Sequence, residues 1–382
     1  MIRFSRSIYS EKGISYIQET ALRRESLSGD GSFTKLCNAW IEKTTGTPKA
    51  LLTTSCTHAL EMSSMLMNIK EGDEVILPSF TFVSTANAFV LNGAKIVFVD
   101  IRPDTLNINE NLVEGALTEK TKAIVPVHYA GVGCEMDKIL EIAKHNNIYV
   151  IEDAAQGVNA TYKSKHLGAM GDIGCYSFHD SKNYTMGEGG AILVNNNKFI
   201  ERAEIIREKG TDRSRFFRGL VDKYTWVDKG SSYLPSEINA AYLYAQLEIV
   251  DEINDNRMKA WQLYYAGLSD LQKKGIIELP YIPEHCCHNA HTFYIKTDTP
   301  TTRSKLIEYL KTAGVLAVFH YIPLHDTDYG KSVSRFYEND IYTTRESLRL
   351  LRLPLYYDMN HSDVEYVCEI IHNYFLDLSK HK

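Results

Sequence analysis

Apolar residues in the first half of the chain gather into short, almost unbroken runs rich in Val and Ile. They lie at Glu74–Pro78, Lys95–Val99, Ala123–Val127, Ile148–Ile151, Ile173–Phe178 and Ala191–Val194. Longer stretches with helical spacing separate them, such as Ser55–Met67 and Met136–His145. Unbroken apolar strands alternating with helices predict an α/β fold with a mostly parallel sheet covered on both faces. In such sheets the ligand sits at the carboxyl ends of the strands, so the residues just after each run are the ones to read for chemistry. After about Ser236 the pattern changes. Ile238–Arg257 reads as one long helix. A smaller α+β unit follows, with a helix near Ser304–Thr312, a strand at Leu316–Tyr321 and a final helix near Asp363–Leu376. The expected division is a large domain over residues 1–255, including an N-terminal arm, and a small one over residues 256–382.

Composition narrows the class. With 382 residues, 44% hydrophobic and 24% charged, the chain has the mix of an ordinary globular protein large enough to bury a core without staples. The formal net charge of -6 argues against nucleic acid and anionic membrane as partners, so an anionic ligand needs local groups to hold it. No run approaches the roughly 18 apolar residues of a membrane span, and no signal-peptide core stands at the N-terminus. The seven scattered cysteines favour reduced thiols and a cytoplasmic site. The stretch His285–His291, HCCHNAH, invites a zinc reading, but adjacent Cys286 and Cys287 do not fit the spacing of structural zinc sites, and no metal is expected.

Four segments carry candidate chemistry. In Leu51–Leu60, LLTTSCTHAL, a hydroxyl-rich turn containing Cys56 and Thr57 opens a helix whose free N–H groups suit a phosphate. In PSFTFVST, Phe82 follows a strand, where an aromatic face can stack on a flat ring. In VIEDAAQ, Asp153 follows a buried strand; a carboxylate there can pair with a protonated pyridine nitrogen. In GCYSFHDSKNYTMGEGGAILV, alternation puts Cys175, Ser177 and His179 on one face, ahead of a Gly-rich loop that holds Lys182. Each signal alone is weak, because caps, core aromatics and surface lysines are common. Together they follow the order phosphate, ring face, ring nitrogen, lysine.

These motifs, EDAAQ, SFHxxKN and GEGGA, resemble those of the DegT/DnrJ/EryC/StrS sugar-nucleotide aminotransferases, over nearly the whole chain from about Leu27 to Tyr374. The resemblance implies fold type I of the pyridoxal 5'-phosphate (PLP) enzymes, like aspartate aminotransferase. It implies that Lys182 holds PLP as a Schiff base and shuttles the proton, that Asp153 pairs with the ring nitrogen and that Gln156 lies near the ring hydroxyl. It further implies that Phe82 stacks on the ring, and that Ser177 with the Cys56–Thr57 turn binds the phosphate. It also implies a homodimer with a shared active site. There the family often carries Asn or Arg, whereas this chain reads GSSYLPSE, with Ser232 in that neighbourhood.

For the substrate, RSRFFRG combines Arg213 with aromatics in a way that suits a nucleotide diphosphate. VFHYIPLH offers His320, Tyr321 and His325, while Tyr129, His179 and Tyr184 are further candidates for the pocket wall. VPVHYAG, RGLVDKYTW, GSSYL and FHYIPLH resemble family members that move an amino group from L-glutamate to C4 of TDP-4-keto-6-deoxy-D-glucose. The product there is TDP-4-amino-4,6-dideoxy-D-galactose, used for enterobacterial common antigen, O-antigen and related lipopolysaccharide. The gluco epimer, a 3-amino product and a PLP-dependent dehydratase are the alternatives. The dehydratases of the family place His where Lys182 stands. Neither SGDGSF nor GEGGAI completes a dinucleotide-binding G-x-G-x-x-G, which disfavours a nicotinamide-dependent sugar enzyme.

Overall fold

The computed structural model describes residues 1–23 and 27–380. Its first nine strands are β1 (Lys49–Thr53), β2 (Glu74–Pro78), β3 (Lys95–Val99), β4 (Thr121–Ile124), β5 (Tyr149–Asp153), β6 (Thr161–Tyr162), β7 (Lys165–His166), β8 (Ile173–Ser177) and β9 (Gly190–Val194). Four more follow: β10 (Cys286–Cys287), β11 (Phe293–Lys296), β12 (Ser334–Phe336) and β13 (Leu350–Leu353). Eight of these form the main sheet in the order β1-β9-β8-β5-β4-β2-β3-β12. Strand β9 runs antiparallel to both its neighbours, and every other adjacent pair is parallel. Strands β1, β2, β4, β5 and β8 therefore end on the same edge of the sheet, and the loops that follow them meet there.

The sheet separates two hydrophobic clusters, as expected for strands that are apolar on both faces. One contains Ile76, Val97, Tyr176 and Phe178, and the other Val75, Phe98, Ile151 and Cys175. A third core, drawn from Ala260 to Phe375, packs Trp261, Tyr264 and Phe293 with the final helix His361–Lys380. At the seam, Phe80, Tyr129, Tyr294 and Leu350 form a small cluster of their own. The C-terminal part also reaches back into the main sheet, since β12 adds to its edge beside β3.

Two expected elements differ. The single helix over Ile238–Arg257 is two helices, Glu237–Leu247 and Val250–Lys273, with Ile249 out of helical geometry between them. The break follows from packing: the first helix lies against the N-terminal helices Glu11–Leu22 and Ser32–Thr45, the second against His361–Lys380. One straight rod could not bury both faces. The strand expected at Leu316–Tyr321 is an extended segment that touches the C-terminal sheet only at Val318, which exchanges two backbone bonds with Arg352 (2.7 and 3.1 Å). The chain then peels away, with the carbonyl of Tyr321 held by the Ser347 hydroxyl.

Glu152 fixes the end of β5. Its fully buried carboxylate accepts from His128 Nε2 (2.9 Å) and from the amides of Gly168, Met170 and Gly171 (2.8, 2.7 and 2.7 Å). His128 Nδ1 accepts from the Cys134 amide (3.1 Å), which puts the ring proton on Nε2 and aims it at Glu152. Gln at this position would offer donors where four donors already converge. Glu152→Gln is expected to destabilise the apoprotein by about 2–4 kcal/mol in denaturant unfolding. A change below about 0.5 kcal/mol would show that the clamp contributes little.

Candidate active site

The shared edge of the sheet collects most of the residues singled out in the sequence. Asp153 ends β5 and is buried. Its Oδ2 accepts from the Thr85 hydroxyl (2.6 Å) and its Oδ1 from the Ala155 amide (3.1 Å). Thr85 Oγ1 also lies 2.8 Å from Thr81 Oγ1. Because the carboxylate can only accept, Thr85 donates to Asp153 and Thr81 donates to Thr85. Alternation along β5 makes Asp153 point opposite to Glu152, so the clamp behind the strand fixes the direction of the acid in front of it.

Gln156 lies three residues on. Its Oε1 accepts from the Ala130 amide (2.7 Å) and its Nε2 donates to the Tyr321 hydroxyl (3.2 Å). Tyr321, Tyr129, Phe80 and His320 form an aromatic wall, with Tyr129 Oη 3.1 Å from His320 Nδ1. Phe82 stands just beyond β2, 57% exposed, with its ring 6.4 Å from that of Tyr321. One aromatic face is thus left open beside the wall.

A cradle lies on the other side. Ser55 caps the helix Cys56–Leu66 by accepting from the His58 amide (3.1 Å), while Cys56 and Thr57 form its first turn. Thr57 Oγ1 contacts Ser84 Oγ (2.7 Å). Ser177 ends β8 in register with Gly190. A Cβ on Gly190 would come within 2.4 Å of the Cys56 nitrogen. Glycine there lets the strand, the Ser177 hydroxyl and the helix N-terminus approach, a geometry that favours an anion.

Lys182 belongs to the loop between β8 and β9, whose ends are joined by Asp180 N–H to Gly187 O (2.8 Å). The lysine is half-buried. Burial lowers its pKa, and the charge of Arg352 lowers it further, against opposing contributions from Cys56 and Asp153. Lys182 is thus within electrostatic reach of Cys56 and Asp153. His320 is likewise held well below the usual histidine value, first by burial and then by Arg352, Lys182 and His291, so it is neutral at physiological pH.

Other expected site residues go elsewhere. Tyr184 is taken into the core, its hydroxyl 3.4 Å from the Val250 carbonyl, and does not line the pocket. His325 spends both ring nitrogens on the fold, Nδ1 on Ser79 (2.7 Å) and Nε2 on Asp340 (3.1 Å), which leaves neither for a ligand. His179 is exposed beside Ser181 and Glu188. Arg213 begins the helix Arg213–Phe217, pairs with Glu208 (3.4 Å) and lies over the Phe217 ring (5.0 Å). Ser232 is exposed and bridges Glu208 through its backbone, next to Tyr233, whose carbonyl accepts from the Thr54 amide (2.9 Å). The HCCHNAH residues have separate partners: His285 meets Glu135, His288 packs on Trp261, and His291 meets Asn183. Sequence reasoning passed over Thr85 and Arg352. Both are polar residues in apolar stretches, a signal that could have found them.

A sequence profile of the DegT/DnrJ/EryC1/StrS aminotransferase family matches residues 10–372. The chain belongs to this family. An uncharacterised Methanocaldococcus jannaschii protein is 36% identical over 326 residues, covering 84% of each chain. Among solved structures, Spr1654 of Streptococcus pneumoniae, assigned as a sugar aminotransferase and solved in its PMP form, superposes with a TM-score of 0.90 at 25% identity. The match covers 98% of this chain and 99% of that one. The aminotransferase TlmJ of Streptoalloteichus hindustanus gives 0.90 at 26% identity, over 99% and 100%. This member is accordingly a PLP-dependent aminotransferase of fold type I. The residues at the sheet edge fit the cofactor: an anion cradle, an acid, an open aromatic face and a lysine of lowered pKa surround one space.

A lowered lysine pKa means a larger neutral fraction at any given pH. Acylation of Lys182 in the apoprotein, followed on its peptide by mass spectrometry, is expected to reach half-maximal rate below the ordinary lysine pKa of 10.5. A midpoint at or above that value would contradict the environment described.

Proposed function

We propose that this enzyme transfers an amino group from L-glutamate to C4 of TDP-4-keto-6-deoxy-D-glucose, giving TDP-4-amino-4,6-dideoxy-D-galactose, with PLP held by Lys182. The observation that carries this is the convergence of Lys182 and Asp153 on one space at the ends of neighbouring strands β8 and β5. When bound, PLP supplies an electron sink for the bond-breaking at the donor α-carbon. Asp153, oriented by Thr85 and the Ala155 amide, holds the ring nitrogen in its protonated form. Gln156 meets the ring oxygen, Phe82 covers one ring face, and Ser177 with the Cys56–Thr57 turn holds the phosphate. Lys182 would hold the cofactor and move the proton at the donor α-carbon, and its lowered pKa leaves more of the amine neutral, as a base requires.

The presence of lysine rather than histidine at this position favours amino transfer over dehydration. Tyr129, His320 and Tyr321 form the wall against the sugar. Arg213 and Phe217 offer a cation and an aromatic to the nucleotide diphosphate. The loop that carries them exposes Phe217, Leu220 and Trp226. A monomer rarely leaves so much apolar surface in one loop. This supports a homodimer in which the loop and Ser232 approach the partner's site. Seven unpaired cysteines support a cytoplasmic location, and no described helix is long and apolar enough to cross a membrane. The resemblance of the substrate segments supports a role in surface-polysaccharide synthesis.

Incubation with ¹⁵N-glutamate and TDP-4-keto-6-deoxyglucose is expected to give a product with ¹⁵N at C4 in the axial, galacto orientation by NMR. The same preparation should sediment as a dimer. Lys182→Ala should lower turnover about 10³-fold or more. Nitrogen at C3, an equatorial amine or a product without ¹⁵N would overturn the assignment.

A further inference from the structure

The stretch HCCHNAH, which invited a metal, ends on a residue tied to the lysine loop. His285 and His288 face Glu135 and Trp261, whereas His291 bonds to Asn183, the residue next to Lys182 in the chain. Nδ1 of His291 lies 3.0 Å from Oδ1 of Asn183, whose Nδ2 donates to the Asn289 carbonyl (2.7 Å). An amide oxygen only accepts, so the ring proton sits on Nδ1 and Nε2 is left with a lone pair. Asn289 completes the brace. Its Oδ1 accepts from the His291 amide (3.1 Å), and its Nδ2 donates to the carbonyls of Gln156 and Val158 (2.9 and 2.8 Å). Arg257 clamps the same turn from the helix Val250–Lys273, donating to the carbonyls of Ala290 and His291 (3.2 and 2.8 Å). Ala290 between them has a φ of 49°, in the left-handed region that residues with a Cβ rarely adopt. Such a conformation persists only where its surroundings over-determine it, and here it is held from both sides.

We propose that His291 is a positioning residue for amino transfer, its neutral, Nδ1-protonated ring fixing the direction and burial of Lys182 through Asn183. The inference rests on the functional reading above. A lysine that both holds a cofactor and moves a proton must return its amine to one place, yet its side chain has four rotatable bonds. The backbone that carries it therefore has to be fixed on both sides. Gln246 ties the far side of the loop at Thr185, accepting from its amide (3.0 Å) and donating to its carbonyl (2.7 Å). His291 and Asn289 tie the near side at Asn183, which is only 2% exposed. The same bonds connect the lysine loop to the backbone of Gln156, the residue expected at the ring oxygen. The brace works in one protonation state. Burial holds His291 well below the usual histidine value, and Lys182, Arg257 and Arg352 push the same way. The ring thus stays neutral at physiological pH and puts no further cation beside the lysine.

The test compares His291→Leu, which removes the donor, with His291→Asn, which has nearly the same shape as Leu and keeps an N–H at the δ position. In His291→Leu apoprotein, the pH midpoint for acylation of Lys182 should rise by about one unit toward the ordinary 10.5, because the freed lysine regains water. In the holoprotein, bleaching of the visible cofactor band by L-glutamate should slow about 10-fold or more, while the half-saturating glutamate concentration changes less than about threefold. His291→Asn should stay within about threefold of the wild-type rate and keep its midpoint. In wild-type apoprotein labelled with ¹⁵N-histidine, the His291 resonances, identified by their loss in His291→Asn, should show a proton on Nδ1 and none on Nε2 between about pH 6 and 8. A proton on Nε2, or titration of the ring in that range, would overturn the inference. So would a His291→Leu protein with the wild-type midpoint and rate, or a His291→Asn protein as impaired as His291→Leu. The acylation and NMR measurements need no cofactor. Failure of the functional reading, seen as a wild-type protein that never shows the visible band, is therefore read separately.

Discussion

One buried carboxylate sets the geometry on which the site depends. Glu152 accepts four donors behind the sheet, from His128 and from the turn that leads into β8. It therefore ties the end of β5 to the start of the strand that delivers Ser177 and the Lys182 loop. Its neighbour in sequence, Asp153, necessarily points the other way. The acid and the lysine thus owe their relation to a polar network that neither of them joins. Such a network is stable only when every member is satisfied, and here each oxygen of Glu152 has partners.

In front of the sheet, charge is distributed so that few groups are neutralised within the protein. Burial lowers the pKa of both Lys182 and Arg352, while Asp153 is tied to neutral donors from Thr85 and Ala155. The helix N-terminus at Cys56 adds partial positive charge. Partial positive charge there suits a ligand that brings negative charge, such as the cofactor's phosphate. The overall acidity of the chain does not oppose this, since the site works through local groups at short range.

Much of the large sheet was legible because its strands are apolar on both faces and end abruptly. Glu74–Pro78 and Lys95–Val99 have the same limits in sequence and structure. β1 went unread because KALLT merges into the hydroxyl-rich turn that follows it. The break at Ile249 was invisible since it arises from two packing partners far apart in sequence, and no Gly or Pro marks it. At the site, strand alternation singled out Ser177, and Asp153 was singled out by its place at the end of a buried strand. Tyr184 and His325 lie in loops, where neighbourhood in sequence says nothing about direction, and both turned into the fold. Arg352 stands out as a polar residue in the apolar run RLLRLPL, but the sequence does not say what it faces; in the fold its Nε has no hydrogen-bond partner.

The central claim is that the lysine at position 182 holds the cofactor. Reduction of the holoprotein with borohydride, proteolysis and mass spectrometry would read this directly. The expected result is a single phosphopyridoxyl-labelled peptide containing Lys182, with the label lost in Lys182→Ala. A label on another lysine, or none on a protein with bound PLP, would contradict the account.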